Sequence, residues 1–101
     1  LSRMWHTIGQ VVSLVEKPWE IEGRTGISRR LTFAVEGFGL SVVTLSDEAL
    51  EGLGSLGYSD LGKFGQWVRI VAQETARAGD PSRPLRASSV QLLDAQDTPA
   101  S

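Results

Sequence analysis

The segment Glu16–Val35, EKPWEIEGRTGISRRLTFAV, changes character halfway along. Its first part gathers Lys17, Arg24, Arg29 and Arg30 around one tryptophan, Trp19, with Gly23 and Gly26 between them. From Ile27 the chain alternates: Ile27, Arg29, Leu31, Phe33 and Val35 share one parity, and Ser28, Arg30, Thr32 and Ala34 the other. That is the period of a half-buried strand. A glycine-jointed loop of cations around an aromatic, leading into a strand, suits a flexible polyanion with stackable bases. It equally suits a solvated hairpin with one partly packed tryptophan.

Outward from this segment, further strands follow. Trp5–Val15, WHTIGQVVSLV, carries apolar residues on both parities and a glycine, Gly9, in its middle. A strand glycine marks a bulge or bend, and a long first strand bent there can serve two edges of a small barrel. Pro18 is expected to end it, leaving Lys17–Gly26 as a loop. The second strand is expected over Ile27–Glu36, a tight turn at Gly37-Phe38-Gly39, and a third strand over Leu40–Leu45. Ser46 can cap a short helix opening with Asp47 and Glu48, whose Leu50, Leu53, Leu56 and Leu61 form an apolar face. Trp67–Ala72 reads as a fourth strand, with Val68, Ile70 and Ala72 on one face. Ala87–Leu93 reads as a fifth, after a polar loop set by Gly79-Asp80-Pro81 and Pro84.

Three strands, a short helix and two more strands give an all-β fold: a small five-stranded OB-type barrel with one short helix between strands three and four. Residues 1–93 form this domain and 94–101 a short tail. A Greek-key or SH3-like barrel is the alternative.

The segment GRTGISRR, Gly23–Arg30, resembles the first hairpin of small OB-fold single-stranded DNA-binding proteins of filamentous phages, plasmids and conjugative elements. The resemblance covers about eight residues, and the strand order accompanies it. It implies a sheet face and flanking loops that track a sugar-phosphate backbone, in a homodimer or higher homo-oligomer, during replication or transfer of a phage or mobile element.

In an OB barrel the binding loops join strands one to two and four to five. Here these are Lys17–Gly26 and Ala76–Arg86, the two regions where positive charge collects. Lys17, Arg24, Arg29 and Arg30 are four of the ten basic residues, and Arg77, Arg83 and Arg86 are three more. These seven are the candidate phosphate contacts. Arg30, on the parity of Thr32 and Ala34, is expected to face solvent, and Arg29 to lie at the loop edge. Trp19 is the candidate stacking residue, or a cover for the barrel mouth. Phe38 is a second stacking candidate, or it folds back onto a neighbour. Trp67 and Arg69, on the outer face of strand four, suit a subunit contact as well as nucleic acid.

Composition narrows the alternatives. The net charge of −2 argues against coating DNA by bulk charge but leaves room for a local basic face. No cysteine and one histidine, His6, weigh against thiolate metal sites, disulfides and a Ser/His/Asp triad. Glu20 and Glu22 lack an accompanying base or nucleophile. The expectation is therefore a non-catalytic protein without cofactor or metal, binding single-stranded DNA or RNA. With no apolar run long enough for a span and no secretory signal, a cytoplasmic, membrane-free setting is expected. The competing function is a protein-interaction module, an accessory subunit anchored by Trp19, Phe38 and Trp67.

Overall fold

The computed structural model describes residues 3–74 and 85–94. Strands β1 (Arg3–Ile21), β2 (Arg24–Val35) and β3 (Gly39–Leu45) precede helix α1 (Asp47–Leu61), and β4 (Trp67–Glu74) and β5 (Leu85–Leu92) follow it. The strands close into a barrel in the order β1-β2-β3-β5-β4. Pairing is antiparallel except between β3 and β5, which run parallel. This is a five-stranded barrel of the OB type with its helix between the third and fourth strands.

Closure depends on β1. Its first half, Arg3–Gln10, pairs with β4, and its second half, Gln10–Ile21, pairs with β2. The handover occurs beside Gly9, where a Cβ would stand 2.6 Å from the Ala34 carbonyl oxygen and 2.9 Å from the Phe33 ring. Gly9 is required by this close approach of a neighbouring strand. A bulge between Val11 and Ser13 follows immediately. The bulge explains the apolar residues on both parities of β1. Trp5 and Val11 face inward before it, with Trp5 packed 6.2 Å from Phe33, and Leu14 faces the core after it. One extra residue reverses which parity is inside.

The core is built from Val11, Leu31, Phe33, Val43, Val68, Ile70, Ala72, Ala87 and Val90, one buried face from every strand. Val68, Ile70 and Ala72 are fully buried, in agreement with the strand-four alternation. Helix α1 adds Ala49 and Leu61. Ser46 caps it, its hydroxyl accepting from the Ala49 N–H at 3.1 Å, and Asp47 and Glu48 occupy the first turn. At Gly54 (φ 70°, ψ 176°) the helical path breaks, so α1 is two short helices joined at a kink. Leu56, expected on the apolar face, is 83% exposed. The kink resets the helical phase, and Leu56 no longer follows Leu50 and Leu53.

The main departure from expectation is Lys17–Gly26, which is not a loop. Pro18 does not end β1: it pairs with Ile27, and the ladder continues to Ile21 opposite Arg24. Beyond Gln10, β1 has β2 on one side and no strand on the other among the described residues. A proline on such an edge sacrifices no ladder hydrogen bond. Glu22 (φ 50°) and Gly23 (φ 77°) close the hairpin, with positive φ at both turn residues as a tight two-residue turn demands. Because β3 pairs with β2 only from Arg30 onward, Glu16–Arg29 stands beyond the barrel as a two-stranded ribbon.

Candidate nucleic-acid interface

Residues directly opposite each other in a ladder project to the same face, so the register sorts the ribbon's side chains. Lys17 stands opposite Ser28, Trp19 opposite Gly26, Ile21 opposite Arg24, and Val15 opposite Arg30. These form the outer face. Glu16 opposite Arg29, and Glu20 opposite Thr25, share the other face with the core pair Leu14 and Leu31. Lys17, Arg24, Arg30 and the tryptophan therefore lie on one side, and the β1 carboxylates lie on the other with Arg29. The β1 bulge produces this sorting: it turns Lys17 and Trp19, of the parity of inward Val11, to the outside.

The outer face continues onto the barrel. Arg30 pairs with Thr44, and Thr44 with Arg86, so Arg30, Thr44 and Arg86 form a row across β2, β3 and β5. At about 4.8 Å per strand, the two arginines stand about 10 Å apart at their backbones. An open groove of about 570 Å³ lies here, lined by Lys17, Pro18, Trp19, Ile21, Ser28, Arg30 and Arg86. Among the described residues, Lys17, Arg24, Arg30 and Arg86 are exposed and make no ion pair. Each is available to an anion.

Trp19 lies over Gly26. A Cβ on Gly26 would stand 2.6 Å from Cε2 and 2.8 Å from Nε1 of the indole. Trp19 is 41% exposed and borders the groove. It does not cover the barrel mouth.

Other candidates are placed elsewhere. Arg29 points to the opposite face, where its Nε is 3.5 Å from Glu16 Oε1 and its guanidinium lies 5.5 Å from the Tyr58 ring centre. The Tyr58 hydroxyl donates to the same Glu16 oxygen at 2.6 Å. Burial, then the hydrogen bond to Glu16 and its negative charge, hold the Tyr58 phenol above its ordinary pKa; Arg29 opposes them. Arg29 thus belongs to a cluster joining the ribbon base to α1. Phe38 is 87% exposed in the β2–β3 turn and does not fold back. It lies beyond Val35, five positions along β2 from Arg30, or about 17 Å of strand. Arg77 and Arg83 lie outside the described residues. Arg86 belongs to β5 and not to the preceding loop. On the outer face of β4, Arg69 donates to Gln91 Oε1 at 3.3 Å.

Of the other groove residues, Ser28 shares the parity of Arg30 in the alternation, whereas Ile21 carried no signal there. Ile21 becomes readable once Glu22-Gly23 is taken as the hairpin turn, because counting outward from it pairs Ile21 with Arg24, as it pairs Lys17 with Ser28. Among the described residues there is no grouping of three or more His, Asp or Glu side chains suited to a metal ion, and no helix long and apolar enough to cross a membrane. No protein-family model, curated protein or solved structure matches the chain.

Proposed function

We propose that the protein binds single-stranded DNA without catalysis, holding phosphates with Lys17, Arg24, Arg30 and Arg86 and stacking a base on Trp19. The observation that carries this reading is the sorting of the ribbon. Four cations with no ion-pair partner among the described residues share a face with an open indole, while Glu16 and Glu20 lie behind. An arrangement of cations around an exposed ring matches a polyanion whose planar groups are free to leave their own stack. A duplex offers its phosphates to the same face but no free base to the indole. Self-association through the outer face of β4, near Trp67 and Arg69, and a role in replication or transfer of a mobile element belong to the same proposal.

The test is tryptophan fluorescence during titration with unlabelled oligothymidine, at low and high salt. Quenching that disappears in Trp19→Ala and weakens with salt supports the reading, since phosphate contacts release counterions. A folded protein showing neither quenching nor binding at low salt refutes it. Oligouridine in the same assay separates DNA from RNA.

One observation favours a second reading, an accessory protein-interaction module. Val15, Ile21, Leu40 and Val42 are all exposed on the same outer face of β1, β2 and β3. An exposed aliphatic patch of this kind suits a protein partner. Such binding would be insensitive to salt and indifferent to oligonucleotides.

A further inference from the structure

Gly26 sits within β2, where glycine weakens a strand by its unfolded-state freedom and lack of packing. Glycines at positive φ answer a backbone demand, as Gly23 and Gly37 do. Gly26 does not: its φ lies outside the positive range, in a strand conformation open to any residue. What excludes a side chain is the indole of Trp19, whose Cε2 and Nε1 lie 2.6 and 2.8 Å from the place a Cβ would take. These atoms belong to a rigid bicyclic ring, not to the yielding end of a flexible chain. Any residue larger than glycine must lift or rotate the ring.

We infer that Gly26 is the positioning residue of the stacking site: its bare backbone lets Trp19 lie flat as a one-sided platform within the groove. The covered side rests on the ribbon. The rest of the indole borders the groove, between the pair Lys17 and Ser28 on one flank and the pair Ile21 and Arg24 on the other. A base entering there must be unpaired and separated from at least one neighbour, with its phosphates left to the flanking cations. This inference rests on the single-strand reading above and assigns a geometric cause to it.

The test is a double-mutant cycle of Gly26→Ala and Trp19→Ala, read by oligothymidine affinity at several salt concentrations. Both sites lie on the ribbon outside the core. Trp19→Ala also removes the ring that the new methyl group at position 26 would strike, so the double variant folds even where Gly26→Ala strains the hairpin. Gly26→Ala is expected to lose about 5- to 140-fold in affinity, corresponding to about 1–3 kcal/mol for one stacked base at 1.4 kcal/mol per tenfold. Its salt slope stays that of the wild type, because no cation has been touched. The double variant then binds no more weakly than Trp19→Ala alone. Wild-type affinity in Gly26→Ala, or a further loss in the double variant, overturns the positioning role while leaving single-strand binding intact. Failure of the wild type itself to bind at low salt refutes the single-strand reading, and the positioning role falls with it.

Discussion

Replacing the outer-face cations one at a time tests whether strand parity controls phosphate contact. For a single-stranded ligand, the logarithm of affinity falls with the logarithm of salt concentration at about −0.7 per neutralised phosphate. Lys17, Arg24, Arg30 and Arg86, each in contact with one phosphate, give a slope of about −2.8, or about 50-fold weaker binding between about 50 and 200 mM salt. Arg30→Ala or Arg86→Ala brings the contribution to about −2.1, and the loss over the same interval to about 18-fold. Arg77 and Arg83 would steepen the total without altering these differences. Arg29→Ala is the control: its guanidinium is engaged by Glu16 and Tyr58 behind the ribbon, so the slope should stay unchanged. Anisotropy of a labelled oligothymidine, titrated across a series of salt concentrations, reads all of these. Equal slope changes for Arg29→Ala and Arg30→Ala would refute the reasoning, since neighbours of opposite parity would then contribute alike. A wild-type slope near zero would refute phosphate contact altogether.

The remaining predictions concern the scaffold. Tyr58→Phe removes the hydroxyl that donates to Glu16 and should lower stability by about 0.5–1 kcal/mol, measured as a lower urea midpoint with unchanged m-value. Because the folded-state pKa of Tyr58 is raised above 10.0, its stabilising contribution is fully present below that pH and is lost as pH rises through the folded value. Denaturation midpoints in alkaline buffers should show this loss, and Tyr58→Phe should abolish it. Gly9→Ala places a methyl group against the Ala34 carbonyl and the Phe33 ring and should cost roughly 1–3 kcal/mol by thermal or chemical denaturation. A cost near zero would mean that β1 bends elsewhere. Glu22→Asn relieves a non-glycine residue at φ 50° and should stabilise the hairpin by roughly 0.5–1 kcal/mol, read as a rise in melting temperature.

The barrel was legible because its strands alternate where they face a core. Leu31 and Phe33 in β2, and Val68, Ile70 and Ala72 in β4, are all buried on the parity that the sequence displays. Gly9 announced the bend in β1 for the same reason: a strand interior tolerates glycine where another strand crowds it. The ribbon was not legible in this way. Outside the barrel it has no core to enforce alternation, so Ile27 can be 50% exposed on the face that carries Leu31. Proline and two glycines within Lys17–Gly26 suggested a loop, yet an edge strand accepts the proline and Trp19 accounts for one of the glycines.

The composition of the candidate site was visible earlier than its arrangement. Clustered cations beside a tryptophan can be counted in the sequence, but counting cannot tell Arg29 from Arg30. What separates them is the pairing of β2 with β1, which puts Arg29 opposite Glu16 and Arg30 opposite Val15. That pairing depends in turn on the bulge at Val11–Ser13, far upstream of the arginines, where one unpaired residue reverses the parity of everything after it. Had β1 run without the bulge in the same inward parity, Glu16 and Glu20 would have faced outward beside Arg30, and Lys17 and Trp19 would have turned inward toward α1. Arg24 and Arg30 would then have faced the two carboxylates, and of the four groove cations only Arg86, on β5, would have stood apart from them. A local irregularity in the ladder, and not the basic residues by themselves, makes this face fit for an anion.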